Sequence, residues 1–344
     1  MIHSKHRSTI LQIQRLSTED GPGIRTTVFF KGCSLKCIWC QNPESISMIP
    51  EVQWMESRCI GCRTCVEVCP EKAISFTEEG IKIERKLCTN CGICSEECPS
   101  TAMELLGTIW DLDNLVKEIE KDSIYFKKSS GGITASGGEP VVQADFVAAF
   151  FKRLKEMGIH TALDTCGFYT QKALDKILPY SDLVLYDLKE IDPVKHNNFT
   201  GNSNELILNN LIHIYDYMKK HDNPRDLWIR TPVIPGVTET EENISGIGTF
   251  IATHLKNGVA KWELCSFNNL CSDKYLRLGL DWAFKDSLLL TKDRMEELTD
   301  IAMNSGIDPD IVSWSGPVKF EKDDSDVESS KSKPRITKIC SVAI

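Results

Sequence analysis

The sequence predicts an α/β fold: a partial (β/α)6 barrel whose first loop carries a small cysteine-rich α+β insert. Two observations carry that expectation. Short apolar and β-branched runs alternate with helical stretches along most of the chain, the order that builds a mainly parallel sheet. Eleven of the 15 cysteines fall between Cys33 and Cys98, in the gap between the first such run and the second. The chain has 344 residues, 41% hydrophobic and 26% charged, an ordinary globular composition. At this size roughly three quarters of the unfolded surface is buried, so a stable core needs no disulfides.

The predicted strands are 26–31 (TTVFFK), 132–136 (GITAS), 160–164 (HTALD), 183–188 (LVLYDL), 227–232 (LWIRTP) and 261–265 (KWELC). Each is short and bounded by Gly, Pro or polar turns. Among the helices, 144–157 puts Phe146, Ala149, Phe150, Leu154 and Met157 on one face, and Gly158 follows as a C-cap. Stretches 170–178 and 243–256 read similarly. Stretch 111–121 opens on an acidic turn, which suits the helix dipole. These elements give a TIM-like partial barrel over 1–49 and 107–320, interrupted by the insert at 50–106. Residues 321–344 are rich in Ser, Lys and Asp and read as a mobile extension.

Forty basic side chains stand against 49 acidic ones, a net charge of −9. A general nucleic-acid binder is normally basic, so that activity is disfavoured. No stretch approaches the ~18 apolar residues of a membrane span. No apolar signal core follows the start, Met1 to Arg7. The expected location is therefore the cytoplasm, away from membranes. Cytoplasm is reducing, so the cysteines point to metal or redox chemistry rather than disulfides. Their odd number also forbids complete internal pairing.

Residues 59–70 read C-IG-C-RT-C-VEV-C-P, and 88–99 read C-TN-C-GI-C-SEE-C-P. C-x2-C-x2-C-x3-C-P, repeated, is the ligand pattern of a two-cluster bacterial ferredoxin. The fourth cysteine of each run then ligates the other cluster. One [4Fe–4S] cluster takes Cys59, Cys62, Cys65 and Cys98; the other takes Cys88, Cys91, Cys94 and Cys69. Zinc is the competing reading, but zinc ribbons use paired C-x2-C units, not triplets ending in C-P. All ligand positions are filled, so the implied role is electron relay.

Residues 33–40 read C-SLK-C-IW-C, a trio with no fourth cysteine of its own. Three protein ligands on a four-iron cluster leave one iron open, and an open position marks a catalytic metal site. The trio follows the first strand, and barrel folds place their chemistry at strand C-termini. The bland alternative is a closed third cluster completed by Cys166 or Cys265. The trio, with Trp39 before its last cysteine, resembles the motif of radical S-adenosylmethionine (radical SAM) enzymes. That resemblance implies that SAM chelates the open iron through its methionine amino and carboxylate groups. It implies further that Trp39 lies near the adenine, and that the reduced cluster cleaves SAM to methionine and a 5′-deoxyadenosyl radical. Residues 134–140, T-A-S-G-G-E-P, resemble the motif that binds the SAM amino group in the same family, here Gly137, Gly138 and Glu139.

The wider set resembles the glycyl radical enzyme activating enzymes, oxidoreductases such as the pyruvate formate-lyase activating enzyme. The most telling segment is S-T-E-D-G-P-G-I-R-T-T-V-F-F-K-G-C, Ser17 to Cys33, and the likeness spans roughly residues 11–314. It implies that Asp20 helps hold the glycine loop of a partner enzyme. Lys189 and Arg230 would contact the methionyl carboxylate, and Asp164, Thr165 and Asp187 would line a monovalent cation site. The partner would be a glycyl radical enzyme, with a flavodoxin or ferredoxin-type protein as reductant, in an oxygen-poor cell. One stretch departs from the pattern. Asn268 stands where the pyruvate formate-lyase type carries a histidine, and a neutral amide cannot act as a cationic donor. Stretch 265–271 (CSFNNLC) is instead similar to activators of the benzylsuccinate and alkylsuccinate synthase branch. Cys265 and Cys271 there read as ordinary core thiols. Two other functions compete: a radical SAM enzyme acting on a small molecule, and a pure electron carrier. The D-G-P-G-I-R segment favours the activator, and a carrier needs neither the trio nor ~250 further residues.

Overall fold

The computed structural model describes residues 6–319; the expected extension at 321–344, with Cys340, lies outside them. The chain opens with β1 (Arg7–Ser17) and β2 (Arg25–Phe30). The inserted stretch follows, with β3 (Glu51–Trp54), α1 (Thr64–Glu67), β4 (Ile74–Thr77), β5 (Gly80–Ile83), α2 (Ile93–Glu96) and β6 (Met103–Leu106). Next come β7 (Thr108–Asp111), α3 (Leu112–Glu120), α4 (Ser123–Ser129), β8 (Gly132–Gly137) and α5 (Ala144–Glu156). Then β9 (His160–Thr165), α6 (Gln171–Ile177), β10 (Leu183–Asp187), α7 (Pro193–Thr200) and α8 (Glu205–Met218) lead to β11 (Asp226–Val233). The chain closes with α9 (Glu241–His254), β12 (Lys261–Ser266), α10 (Ser272–Leu278), α11 (Lys292–Met303) and β13 (Val312–Ser315).

One sheet runs β13-β12-β11-β10-β9-β8-β2-β1-β7. The six expected strands are β2 and β8 to β12, each parallel to its neighbours among them. The count of six parallel strands is short by one, because β13 adds a seventh beside β12. At the other edge β1 pairs antiparallel with both β2 and β7. Neither outer strand announces itself. β13 (VSWS) is four residues long, and much of β1 is exposed. A strand with one wet face carries polar residues there and lacks a continuous apolar run.

The parallel strands read as apolar runs because helices cover them. Phe146, Phe150 and Leu154 of α5 pack with Val28, Ile133 and Leu163 of the sheet. Ile247 and Ile251 of α9, with Leu298 of α11, do the same near Ile229 and Leu264. Each such side chain stabilises the fold by about 1.5–3 kcal/mol.

His160, at the start of β9, is a titrating weak point. Burial first, and then Arg25, push its pKa down from 6.5 to about 4. An unfolded chain takes up this proton near 6.5, whereas the native one does so only near 4. The contribution of His160 to stability is complete above pH 6.5 and is lost as pH falls through that window. Discounted for its partial exposure, the loss is about 1–2 kcal/mol. His160→Gln should flatten the acid limb of stability, read as urea midpoint against pH. Identical acid limbs for variant and wild type would refute the assignment.

The inserted stretch has its own small core of Val52, Cys65, Ile74, Ile81, Cys94 and Met103. β3 and β6 pair antiparallel from Glu51↔Leu106 to Trp54↔Met103, so the chain enters and leaves at one point. β4 and β5 form a hairpin. At the junction the fully buried Lys31 Nζ donates to the Glu44 carbonyl at 2.6 Å and meets Glu51 at 3.2 Å.

Candidate functional site

The loops at the C-terminal ends of the parallel strands enclose a cavity of ≈ 350 Å³. The loop after β2 contributes Cys33, Cys37, Trp39 and Cys40. Gly137 and Gly138 come from the end of β8, Asp164 and Thr165 from β9, and Asp187 and Lys189 from β10. Arg230 on β11 and Asn268 beyond β12 line the cavity as well. Residues more than 230 positions apart thus meet because parallel strands present all their C-termini on one side.

Two expected residues do not line the cavity. Glu139 is fully buried beside it. Its carboxylate accepts from Thr165 Oγ1 at 2.8 Å, Cys166 N at 2.8 Å and Val141 N at 3.0 Å. It therefore braces the ends of β8 and β9 against each other, while the glycines face the cavity. Burial raises its pKa, against the pull of those hydrogen bonds. Asp20 accepts from Ser17 Oγ at 2.6 Å and Thr27 Oγ1 at 2.5 Å. Its charge still reaches Asp164 and Arg230.

Charged side chains of partial exposure gather along the cavity. Lys189 Nζ lies 2.5 Å from Asp187. Burial opposes the Lys189 charge, but Asp187, Cys37 and Cys166 outweigh it and hold the pKa well above the usual value. Arg230 lies 3.9 Å from Asp164 and 3.5 Å from Glu263, and its Nη2 donates to the Glu19 carbonyl. The Glu263 contact is made by Nε, within ion-pair range but too loose for a hydrogen bond. A guanidinium lining a cavity is a place for an anion. Burial pushes Asp164 up to about 7, against the pull of Arg230 and of Ser136 Oγ at 2.6 Å. Two cations beside carboxylates and open glycine backbone suit a zwitterionic amino-acid group.

The trio faces this array. Burial pushes Cys37 up to about 11 and Cys40 to about 12. A hydrogen bond with Cys166 lowers Cys33. A thiol that resists ionising by itself gives up its proton to solvent when it coordinates a metal. Among the described residues no three His, Cys, Asp or Glu side chains close on a single-ion site. A four-iron cube spreads its thiolates wider than one ion does, and three thiols around an open cavity fit that demand.

Cys166 and Cys265 also line the cavity. Cys265 is therefore not the core thiol that its sequence suggested; the end of β12 delivers it beside Arg230. Burial holds its thiol at about 12. Cys271 does pack as a core thiol, among Trp39, Phe267, Tyr275 and Trp282. Position at a strand end was the available signal for Cys265.

In the inserted stretch, Arg63 and Gly92 take left-handed backbone just before α1 and α2, with φ of 63° and 84°. That turn lets each run of cysteines curl inward. Burial first, then Cys98, Cys59 and Cys62, raise the Cys65 thiol. Burial, then Cys88 and Cys91, then Cys65 and Cys69, raise Cys94 to about 11. The charge of Cys98 thus reaches Cys65, and that of Cys69 reaches Cys94.

The chain matches the family model of the Radical SAM superfamily over residues 27–245. It is 40% identical over 282 residues to the (2S)-3-sulfopropanediol dehydratase activating enzyme of Klebsiella oxytoca, covering 80% of this chain and 87% of that one. It is 39% identical over 290 residues to the trans-4-hydroxy-L-proline dehydratase activating enzyme of Clostridioides difficile, covering 84% and 94%. It is 34% identical over 301 residues to the choline trimethylamine-lyase activating enzyme of Oleidesulfovibrio alaskensis, covering 86% and 94%.

Proposed function

The chain belongs to the radical SAM superfamily and, within it, to the glycyl radical enzyme activating enzymes, and on that premise we propose how its residues divide the work. Cys33, Cys37 and Cys40 hold a [4Fe–4S] cluster whose fourth iron takes S-adenosylmethionine. The observation that carries this assignment is the meeting of three thiols and two cationic side chains in one cavity. When bound there, the pair supplies a 5′-deoxyadenosyl radical that takes a hydrogen atom from a backbone glycine of the partner enzyme.

Lys189 and Arg230 hold the methionyl carboxylate, since both line the cavity that the trio faces. Gly137 and Gly138 leave room for the ammonium group to reach the backbone. Trp39 lies near the adenine, and Asn268 is a further SAM-binding position. Asp164, Thr165 and Asp187 form the monovalent cation site, and a cation there would favour ionised Asp164. Asp20 helps seat the partner's glycine loop.

Residues 50–106 form a ferredoxin-like domain with two further clusters. Cys59, Cys62, Cys65 and Cys98 hold one, and Cys88, Cys91, Cys94 and Cys69 hold the other. The electrostatic neighbours of Cys65 and Cys94 support that interlocked pairing over a simple sequential one. Electrons enter there from a flavodoxin or ferredoxin-type protein. Among the described residues no helix is long and apolar enough to cross a membrane, and we place the enzyme in the cytoplasm of an oxygen-poor cell. The relatives above are all activating enzymes by name, which favours a protein substrate over a small molecule.

The test mixes reduced protein, SAM and candidate partners under anaerobic conditions. A glycyl doublet in the EPR spectrum of one partner is the expected result. SAM cleavage without a doublet in any partner would count against the proposal.

A further inference from the structure

The loop that carries the trio has almost no regular structure of its own, so its shape comes from outside. Its amides are held by the end of α7: Lys36 N donates to Thr200 O at 2.8 Å, and Ile38 N to Phe199 O at 3.0 Å. Its carbonyls are held by the segment beyond β12. Trp282 Nε1 donates to the Ile38 carbonyl at 3.0 Å. The Tyr275 hydroxyl donates to the Cys40 carbonyl at 2.9 Å, with the Cys271 thiol 3.7 Å from the same oxygen. Lys274 Nζ reaches the Gln41 carbonyl at 3.1 Å and Asn42 Oδ1 at 2.8 Å.

Ile38 and Cys40 flank Trp39, so the two donated bonds fix both neighbours of that indole. The donors are rigid themselves. The rings of Tyr275 and Trp282 stack at 5.0 Å with planes 11° apart. Both are buried, in one apolar cluster with Trp39, Phe267 and Phe284. A buried carbonyl that loses its donor pays a full desolvation cost. The loop would relieve that cost by moving, and Cys40 and Trp39 would move with it.

We propose that Tyr275 and Trp282 are positioning residues for the radical chemistry, setting the Cys40 thiolate and the Trp39 indole through the loop carbonyls. The proposal rests on the reading of the trio as the SAM cluster site. It gives the segment beyond β12 a role beside the barrel proper: a clamp on the ligand loop, made from residues remote in sequence. Tyr275→Phe removes one hydroxyl and keeps the stacked ring. Trp282→Phe removes the other donor and keeps an aromatic in the cluster.

Both variants are purified anaerobically with their clusters, beside wild type and Cys40→Ala. Iron content and thermal midpoint report folding, and the insert clusters serve as internal reference. The expected result for either variant is near wild-type iron, a shifted EPR signal for the trio cluster, and about tenfold weaker SAM binding as the loop shifts to replace the lost hydrogen bond. SAM binding is read as the change in that signal on titration. Wild-type spectra and wild-type SAM affinity in both variants would overturn the proposal while leaving the trio reading intact. So would iron loss with an unchanged spectrum in the remaining cluster, since that is what a merely structural contact gives. Cys40→Ala with an unchanged trio signal would overturn the trio reading, and this proposal with it.

Discussion

Cys37→Ala is expected to abolish SAM cleavage and, on the proposed content of three four-iron clusters, to remove roughly a third of the bound iron. Cys37 lies deep in the cavity, where burial holds its thiol at about 11. Alanine offers no ligand, and two remaining thiols cannot hold the cube open on one iron only. The insert clusters use other cysteines, so their absorbance and reduced EPR signal should persist. Deoxyadenosine release under dithionite measures the first effect, and iron with EPR measures the second. Retained cleavage in this variant would remove the catalytic site from the trio altogether. Complete iron loss would show that the two halves of the protein do not bind metal independently.

Gly138→Ala should disable the same centre from the opposite wall. A Cβ at this position would lie 2.3 Å from the Gly32 carbonyl oxygen and 2.8 Å from that of Ser45. Both contacts are backbone, so neither can swing aside. Gly32 N bonds Ser45 O, and Cys33 N bonds Ile46 O. Relief therefore means moving the strand end that carries Cys33. Overpacking of this kind costs about 1–3 kcal/mol. The expected variant folds with a lower thermal midpoint, keeps its insert clusters and shows little trio cluster. An unchanged trio spectrum and midpoint would mean that the β8 end yields freely.

The parallel strands were legible because burial on both faces writes them as apolar runs. The trio and the glycine pair were legible as motifs, the cation-site and carboxylate contacts through the family resemblance, and their meeting in space because a barrel gathers strand C-termini. The outer strands were not, since β1 hides its pattern in polar residues and β13 is four residues long. Helix α8 was also missed, in part because Asn210 interrupts its buried face. That asparagine is buried to donate to the Gly167 and Tyr169 carbonyls. The role of Glu139 could not be read from Gly-Gly-Glu, because its partners on β9 are set by tertiary packing. Tyr275 and Trp282 were invisible for the same reason. Their acceptors are carbonyl groups, which every residue has, so no side-chain pattern marks them.

The ladder between β3 and β6 has a consequence for how the protein came to be assembled. Glu51 sits opposite Leu106, and paired antiparallel strands hold their Cα atoms about 5 Å apart. A tight turn of about two residues bridges such a gap. The stretch between can therefore be cut out or exchanged as a cassette without restringing the barrel. What would resist exchange is the seam: Lys31, packed under Gly107, and Arg85, whose Nη2 donates to the Arg277 carbonyl of α10 at 3.3 Å. A graft that keeps those two lysine and arginine contacts would let one barrel be wired to a different electron supply.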